Sequence, residues 1–178
     1  MTLIGAIVVE WSDAESTLAW FYSMFICGPN IPGDPMHPGL WASMETFDMV
    51  SNFRQKRAML LTAAKRRFLS KEVLDKFKVL LQALQDSGDA RIAIAHGRWG
   101  LDDKQYPDSL VWTRGIGGIE DAKVYDEADF IAELDKITRA SGNLSSFFNN
   151  EIFPILKASA EIHVKQIRSI VDDSKDGI

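Results

Sequence analysis

Apolar residues at helical spacing predict a first helix over residues 4–26. Its apolar stripe consists of Ile4, Val8, Trp11, Leu18, Tyr22 and Ile26. The stretch "CGPNIPGDPMHPG" that follows contains four of the six prolines of the chain and predicts a loop. Helical spacing resumes over residues 40–50 and continues over residues 52–68, where we expect further helical segments.

A third amphipathic stretch predicts a helix over residues 71–87, with Ser70 placed to cap its first turn. Its inner face consists of Val73, Phe77, Leu80, Leu81 and Leu84. Gly88 leaves two interpretations open. Either the helix stops at this glycine and a short turn restarts through His96, or one helix runs on through Gly88.

After Trp99 the pattern changes, because "SLVWTRG" and "AKVYD", separated by "IGGIED", predict a small β-hairpin at about residues 109–126. A helical segment follows over residues 127–172, and Pro154 is expected to kink or restart it. There is no alternation of strands and helices typical of a parallel sheet. We therefore expect an all-α protein, an antiparallel up-and-down bundle of four to five main helices with one β-hairpin insertion.

Length and composition place these elements in one domain over residues 1–178, since 178 residues allow a substantial core. The content of 46% hydrophobic and 25% charged residues is typical of a soluble globular protein. The start, "MTLIGAIVVEW", has no basic leader and is too short to span a bilayer, so we expect a cytoplasmic protein without a membrane partner. Cys27 is the only cysteine, which excludes an internal disulfide.

The net charge of −5 is unevenly distributed. Residues 51–78 contain nine basic and two acidic residues, a local charge of +7 that leaves −12 for the rest of the chain. This basic segment can attract phosphates, and Arg54 and Lys65 are its candidate RNA contacts. The alternative is a solvated helix face without a ligand.

The stretch "GDARIAIAHGRWG", residues 88–100, places Arg91 and His96 five residues apart. On a helix this spacing corresponds to about 140° and about 7.5 Å along the axis, so a long arginine can reach a phosphate that the imidazole also contacts. Histidine transfers protons near neutral pH, and a guanidinium binds a phosphate with two hydrogen bonds. The pair fits RNA cleavage without a metal ion. The structural alternative is a histidine favoured by the helix dipole at a C-terminus that Gly97 caps.

The segment "RIAIAHGRW", preceded by "LLQALQDSGDA", resembles the signature of helical HEPN-type domains, in which an arginine, four to six residues and a histidine end a helix. The opening "VVEWSDAES" and the later "SNFRQKRAMLL" are similar to the other helices of that family, so the resemblance covers roughly residues 4–100. It implies a four- or five-helix bundle, frequent dimerisation and metal-independent endoribonuclease activity, often in toxin–antitoxin or phage-defence systems. Arg91 and His96 would be the catalytic pair, with RNA as substrate and an antitoxin-like protein as a partner.

One residue departs from the pattern of active members, in which the position after the arginine is usually polar. Here it is Ile92, which cannot hydrogen-bond a phosphate or orient the histidine. The alternative function is therefore a catalytically inactive HEPN-like module that binds a partner protein or a nucleotide. No histidine or carboxylate spacing matches a metal-ligand pattern, so we expect neither a metal nor a cofactor.

Two further expectations concern assembly and the substrate. In-line phosphoryl chemistry needs an acid and a base besides charge stabilisation, so we expect a C2 homodimer in which two His96 residues face a shared groove. Ile92 and Trp99 would bury against the partner chain. Trp99 follows His96 by about one helical turn and is a candidate for stacking a base.

Two charged residues occupy predicted apolar faces. Glu15 falls in the middle of the first helix's stripe, and Arg57 lies among the apolar residues of the segment 52–68. Because a lone buried charge costs several kcal/mol, we expect Glu15 to pair with Arg57, or failing that with Arg54. The pair would be structural and would set the register of two helices.

Overall fold

The computed structural model describes residues 2–29, 39–67, 69–96, 98–102, 106–113 and 123–175. Their elements in chain order are α1 Thr2–Cys27, α2 Gly39–Asp48, α3 Phe53–Lys65, α4 Lys71–His96, β1 Arg98–Asp102, β2 Tyr106–Thr113, β3 Lys123–Tyr125, α5 Glu127–Phe147, a π-helical segment Phe148–Ile152 and α6 Phe153–Lys175. The predicted class, all-α with a small β insertion, is confirmed. Among these residues, no helix combines the length and the apolar character that crossing a membrane requires.

The buried face of α1 differs from the stripe predicted for it. Positions spaced alternately by four and three residues are buried, namely Ile7, Trp11, Ala14, Leu18, Phe21 and Phe25. Only Trp11 and Leu18 belong to both sets, and Ile26 of the predicted stripe is 45% exposed. The predicted stripe was rotated to one side of the buried face, since it missed Ile7, Ala14, Phe21 and Phe25, and its members Ile4, Val8 and Tyr22 are half-buried.

Side-chain caps define the starts of α3 and α4. The Asn52 side chain accepts a hydrogen bond of 2.8 Å from the backbone N–H of Arg54 at the start of α3. The Ser70 hydroxyl accepts one of 3.3 Å from the backbone N–H of Val73, which confirms the predicted cap of α4. The helix then continues through Gly88 to His96, so of the two interpretations the uninterrupted helix is correct.

The predicted hairpin is part of a three-stranded antiparallel sheet in the order β1-β2-β3. Strands β2 and β3 form the expected pair, with Val111 opposite Val124. Strand β1 was not predicted, and it pairs with β2 so that Trp99 lies opposite Trp112. The short "RWGLD" segment follows α4 almost directly and contains Gly100, so its alternation of polar and apolar residues is too short to predict a strand.

Helix α5 begins with a reciprocal cap. The backbone N–H of Asp126 donates to the Asp129 carboxylate at 3.0 Å, and the backbone N–H of Asp129 donates to the Asp126 carboxylate at 2.9 Å. The predicted disturbance at Pro154 is present as the π-helical segment, in which the backbone N–H of Phe153 donates to the Phe148 carbonyl. Proline has no N–H to donate and crowds the preceding turn, so it fits the first turn of α6.

Two compact units divide the chain. The first contains Met1–Glu15 and Val79–Leu144, and its aromatic cluster consists of Trp99, Tyr125 and Phe130. The second contains Ser16–Lys78 and Ser145–Ile178, where the rings of Phe21 and Phe148 stack with centroids 3.8 Å apart. The single domain expected over residues 1–178 stays a prediction.

Candidate functional site

Arg91 lies in the last third of α4 with its side chain half-buried. Its guanidinium carbon lies 5.7 Å from the ring centroid of Trp11. Its Nε atom is buried without a hydrogen-bond partner, and no carboxylate among the described side chains pairs with it. A partly desolvated cation is stabilised by an anion, so the side chain is poised to bind one.

Trp11 reaches this position because α4 has a glycine beneath it. A Cβ atom on Gly88 would lie 2.1 Å from Trp11 Cη2 and 2.5 Å from Cζ3, so the indole ring packs directly on the helix backbone. Gly88 and Arg91 are three residues apart and therefore share one face of α4. Trp11 itself is only 4% exposed. We call Trp11, Gly88 and Arg91 the Arg91 cluster.

His96 is the last residue of α4, and its side chain lies outside the described part of the structure, as does Gly97. Because α4 is continuous, the structure places the predicted pair on one helix, with Cα atoms separated by about 7.5 Å along the axis. The relative position of the guanidinium and the imidazole stays a prediction. Between them Ile92, the residue that departs from the active HEPN pattern, is 53% exposed.

Trp99 lies in β1, and not on a helical turn after His96 as expected. Its indole N–H donates to the Ile94 carbonyl at 3.0 Å, which gives a partner to one of the carbonyls left free at the end of α4. Its ring contacts those of Tyr125 and Phe130, each with centroids 5.4 Å away. The hydrogen bond joins the sheet to the end of α4, and the contact with Phe130 joins it to α5. Base stacking by Trp99 stays a prediction.

The basic segment is partly structural. Lys56 is 5% exposed, with its Nζ atom 5.4 Å from the centroid of the Phe47 ring. Lys76 forms an exposed ion pair with Glu72 at 3.1 Å. Arg54 and Lys65, the two predicted RNA contacts, are exposed, as is Arg66. The surface available to phosphates is therefore smaller than the count of nine basic residues implies.

Arg67 completes the C-terminus of α1. Gly28, at a φ of 84°, donates its backbone N–H to the Met24 carbonyl at 3.0 Å. The guanidinium of Arg67 donates to the carbonyls of Phe25 and Ile26, the latter at 2.6 Å. The last turn of a helix has free carbonyls and a partial negative charge, so a cation here stabilises it in two ways. The sequence did not predict this capping role, because the position of an arginine among other basic residues does not indicate which helix terminus it contacts.

Replacing Arg67 by alanine is expected to lower the free energy of unfolding by about 1–2 kcal/mol, because two charge-assisted hydrogen bonds are lost. The matched control is Arg66→Ala, which removes the same charge from an exposed neighbour and should change stability by less than about 0.5 kcal/mol. Urea unfolding of the two variants provides the measurement. Equal effects would contradict the capping role.

Glu15 and Arg57, the predicted ion pair, are both half-buried. Glu15 lies at the border of the buried face of α1 and not in the middle of it. Neither charge therefore lies in bulk solvent, which a structural ion pair between them requires. Their pairing stays a prediction.

A surface pocket of about 290 Å³ lies between α1 and α3. Its lining residues are Tyr22, Ile26, Ala58, Met59, Thr62, Ala63 and Arg66. The lining is mostly apolar and contains a single cation, so it fits a ligand with an apolar body and an anionic group.

The described residues contain no group of three or more His, Cys, Asp or Glu side chains that could hold a metal ion. Comparisons with protein-family models, with curated proteins and with solved structures give no match. A functional assignment therefore depends on the chemistry of the site itself.

Proposed function

We propose that this protein is a metal-independent endoribonuclease of the HEPN type, in which Arg91 binds the scissile phosphate and His96 transfers a proton. The observation that supports this most directly is the state of Arg91, a half-buried cation with an unpartnered Nε and no carboxylate partner among the described side chains. A structural arginine is normally hydrogen-bonded or paired when its nitrogen atoms are buried. An arginine with no anionic partner among the described side chains is suited to receive an anion from the substrate.

The proposed reaction uses only groups of the chain and the RNA. The ribose 2′-oxygen attacks phosphorus and loses its proton to a base, while the bond from phosphorus to the 5′-oxygen breaks and that oxygen gains a proton. Histidine supplies either proton transfer near neutral pH. The guanidinium stabilises the charge that accumulates on the phosphoryl oxygens. The products are a 2′,3′-cyclic phosphate and a free 5′-hydroxyl.

A C2 homodimer is part of the proposal, because one arginine and one histidine supply few groups for an in-line displacement. Two protomers would place two Arg91 and two His96 side chains around one phosphate. Ile92 supports this arrangement, because an apolar side chain that is 53% exposed next to the site is suited to an interface between copies.

A second candidate function is a binding module without catalysis. Two observations favour it, namely the apolar residue after Arg91 and the pocket between α1 and α3. In this case Arg91 would bind the phosphate of a nucleotide or an anionic group of a partner protein and transfer no proton.

Incubation of the purified protein with mixed RNA in EDTA distinguishes the two candidates. The endoribonuclease is expected to yield fragments with 2′,3′-cyclic phosphate ends, detected by end-specific ligation and gel analysis. The control is the His96→Ala variant, which excludes a contaminating nuclease. Binding of RNA without cleavage by either protein would favour the binding module.

The exposed cations Arg54 and Lys65 are expected to make the affinity for a non-cleavable 2′-O-methyl RNA strongly salt-dependent, because phosphate neutralisation releases counterions. Replacing both by glutamine should reduce the slope of log affinity against log salt by about 1.4, since each single-strand phosphate contact contributes about 0.7. The matched control replaces Arg139 and Lys157, two exposed cations outside the basic segment. Fluorescence anisotropy measures the affinities, and equal slopes for both double variants would leave the segment as solvated surface.

A further inference from the structure

The Arg91 cluster combines three features, and each feature depends on one particular type of residue. Glycine is the only residue type without a Cβ, and a Cβ at Gly88 would lie within 3.0 Å of three atoms of the Trp11 ring. Trp11 offers the largest aromatic face of any side chain. Arg91 offers a flat cation, whose carbon atom lies 5.7 Å from that ring's centroid. The spacing of Gly88 and Arg91 along α4 brings the ring and the guanidinium together.

We infer that Trp11 is a positioning residue of the RNA-binding site, whose indole ring holds the Arg91 guanidinium in the orientation that receives the phosphate. This inference rests on the proposed function. It adds a residue on another helix, for which neither the arginine-histidine motif nor the resemblance to HEPN domains provides a role.

The physical reason is the kind of attraction that an aromatic ring offers. An arginine side chain loses about 2 kcal/mol of rotamer entropy when it is fixed, so an unsupported arginine binds phosphate less tightly. A carboxylate would also fix the guanidinium, but it would neutralise the charge and compete with the phosphate. The ring attracts the cation through its quadrupole and leaves the full positive charge for the ligand.

The buried Nε supports the same conclusion. With Nε turned into the protein, the two terminal nitrogen atoms of the guanidinium form the edge that remains for a ligand. These two nitrogens are the donors of the two-pronged contact with a phosphate. Trp11 is 4% exposed and packs on the backbone of α4, so its surroundings restrict movement away from this position.

The experiment measures binding of a 2′-O-methyl RNA oligonucleotide to wild-type protein, Trp11→Leu, Trp11→Phe and Arg91→Gln by fluorescence anisotropy. Trp11→Leu is expected to weaken binding by about five- to tenfold, the range of a partly buried cation–π contact, and Trp11→Phe to restore most of the affinity. In the Arg91→Gln background, Trp11→Leu should cause no further loss, because the ring acts through the arginine. Thermal unfolding identifies variants that are folded at the assay temperature.

A spectroscopic measurement on the wild-type protein keeps the test valid even where a Trp11 variant fails to fold. The Arg91 Nε–H resonance, assigned by its loss in Arg91→Lys, is expected upfield of the other arginine resonances because of the indole ring current, and it should shift on addition of the oligonucleotide. RNA binding by folded Trp11→Leu at wild-type affinity, or an Nε resonance at an ordinary position, would overturn the positioning role and leave the proposed function standing. A wild-type protein that neither binds nor cleaves RNA, with an upfield Nε resonance unaffected by the oligonucleotide, would overturn both.

Discussion

Replacing Gly88 by alanine is expected to lower the free energy of unfolding by about 2–4 kcal/mol, although alanine is the better helix former. The added methyl group would lie 2.1 Å from Trp11 Cη2, 2.5 Å from Cζ3 and 2.8 Å from Cζ2. These atoms belong to a rigid, buried ring, and not to the end of a flexible chain. Either the ring or the backbone of α4 must therefore move, and both movements break packing in the core.

The controls are Gly142→Ala in α5 and Gly5→Ala in α1, where an added Cβ meets no atom within 4 Å. Both glycines are exposed and helical, so these substitutions are expected to raise stability by about 0.5–1 kcal/mol through helix propensity alone. Urea unfolding of the three variants isolates the packing contribution at Gly88. A Gly88→Ala protein as stable as the Gly142→Ala protein would show that the indole ring does not pack on α4.

The largest expected change in activity comes from His96→Ala. If His96 transfers the proton, its loss should reduce metal-independent RNA cleavage by about 10²–10⁴-fold while the circular dichroism spectrum stays unchanged. Arg91→Lys keeps the charge but loses the two-pronged contact, so cleavage should fall by about tenfold or more. The assay follows a labelled RNA in EDTA. Cleavage that persists in the His96→Ala protein would rule out the nuclease assignment.

A mixture of these two variants tests the shared groove. If two protomers surround one phosphate, a mixed dimer of His96→Ala and Arg91→Lys protomers keeps one intact histidine and one intact arginine. Refolding the variants together should therefore recover more cleavage than either variant shows alone, but less than the wild-type dimer, which has two of each residue. Activity equal to the average of the two parents would exclude a site composed from both protomers.

The helices were predictable because their apolar spacing repeats over many residues, and one misjudged position does not remove the pattern. The buried face of α1 was harder to predict from the sequence, because Ala14 is buried and Ile26 is exposed, the reverse of their rank in hydrophobicity. Whether α4 stops at Gly88 or continues through it could not be predicted from the neighbouring residues alone. A glycine late in an amphipathic stretch is a common helix stop, whereas this glycine lies inside α4 at a position where a Cβ would clash with a ring supplied by α1.

The candidate site was likewise predictable only in part. The arginine-histidine spacing was visible in the sequence, and α4 is confirmed as one helix that contains both residues. The surroundings of Arg91 were not visible, because they depend on Trp11, a residue of another helix for which the sequence gave no contact with Arg91. Lys56 and Arg67 show the opposite error, since both were counted as phosphate-attracting charges and the structure uses them for packing and capping.

The contact between Trp11 and Gly88 also constrains how this sequence can change over evolutionary time. A side chain at position 88 and an indole at position 11 occupy the same space, so neither position can vary freely while the other is kept. A lineage that acquires alanine at 88 would first need a smaller ring or an aliphatic residue at 11, and would then lose the support of Arg91. Among descendants of a common ancestor, tryptophan at 11, glycine at 88 and arginine at 91 are therefore expected to be inherited, or lost, together.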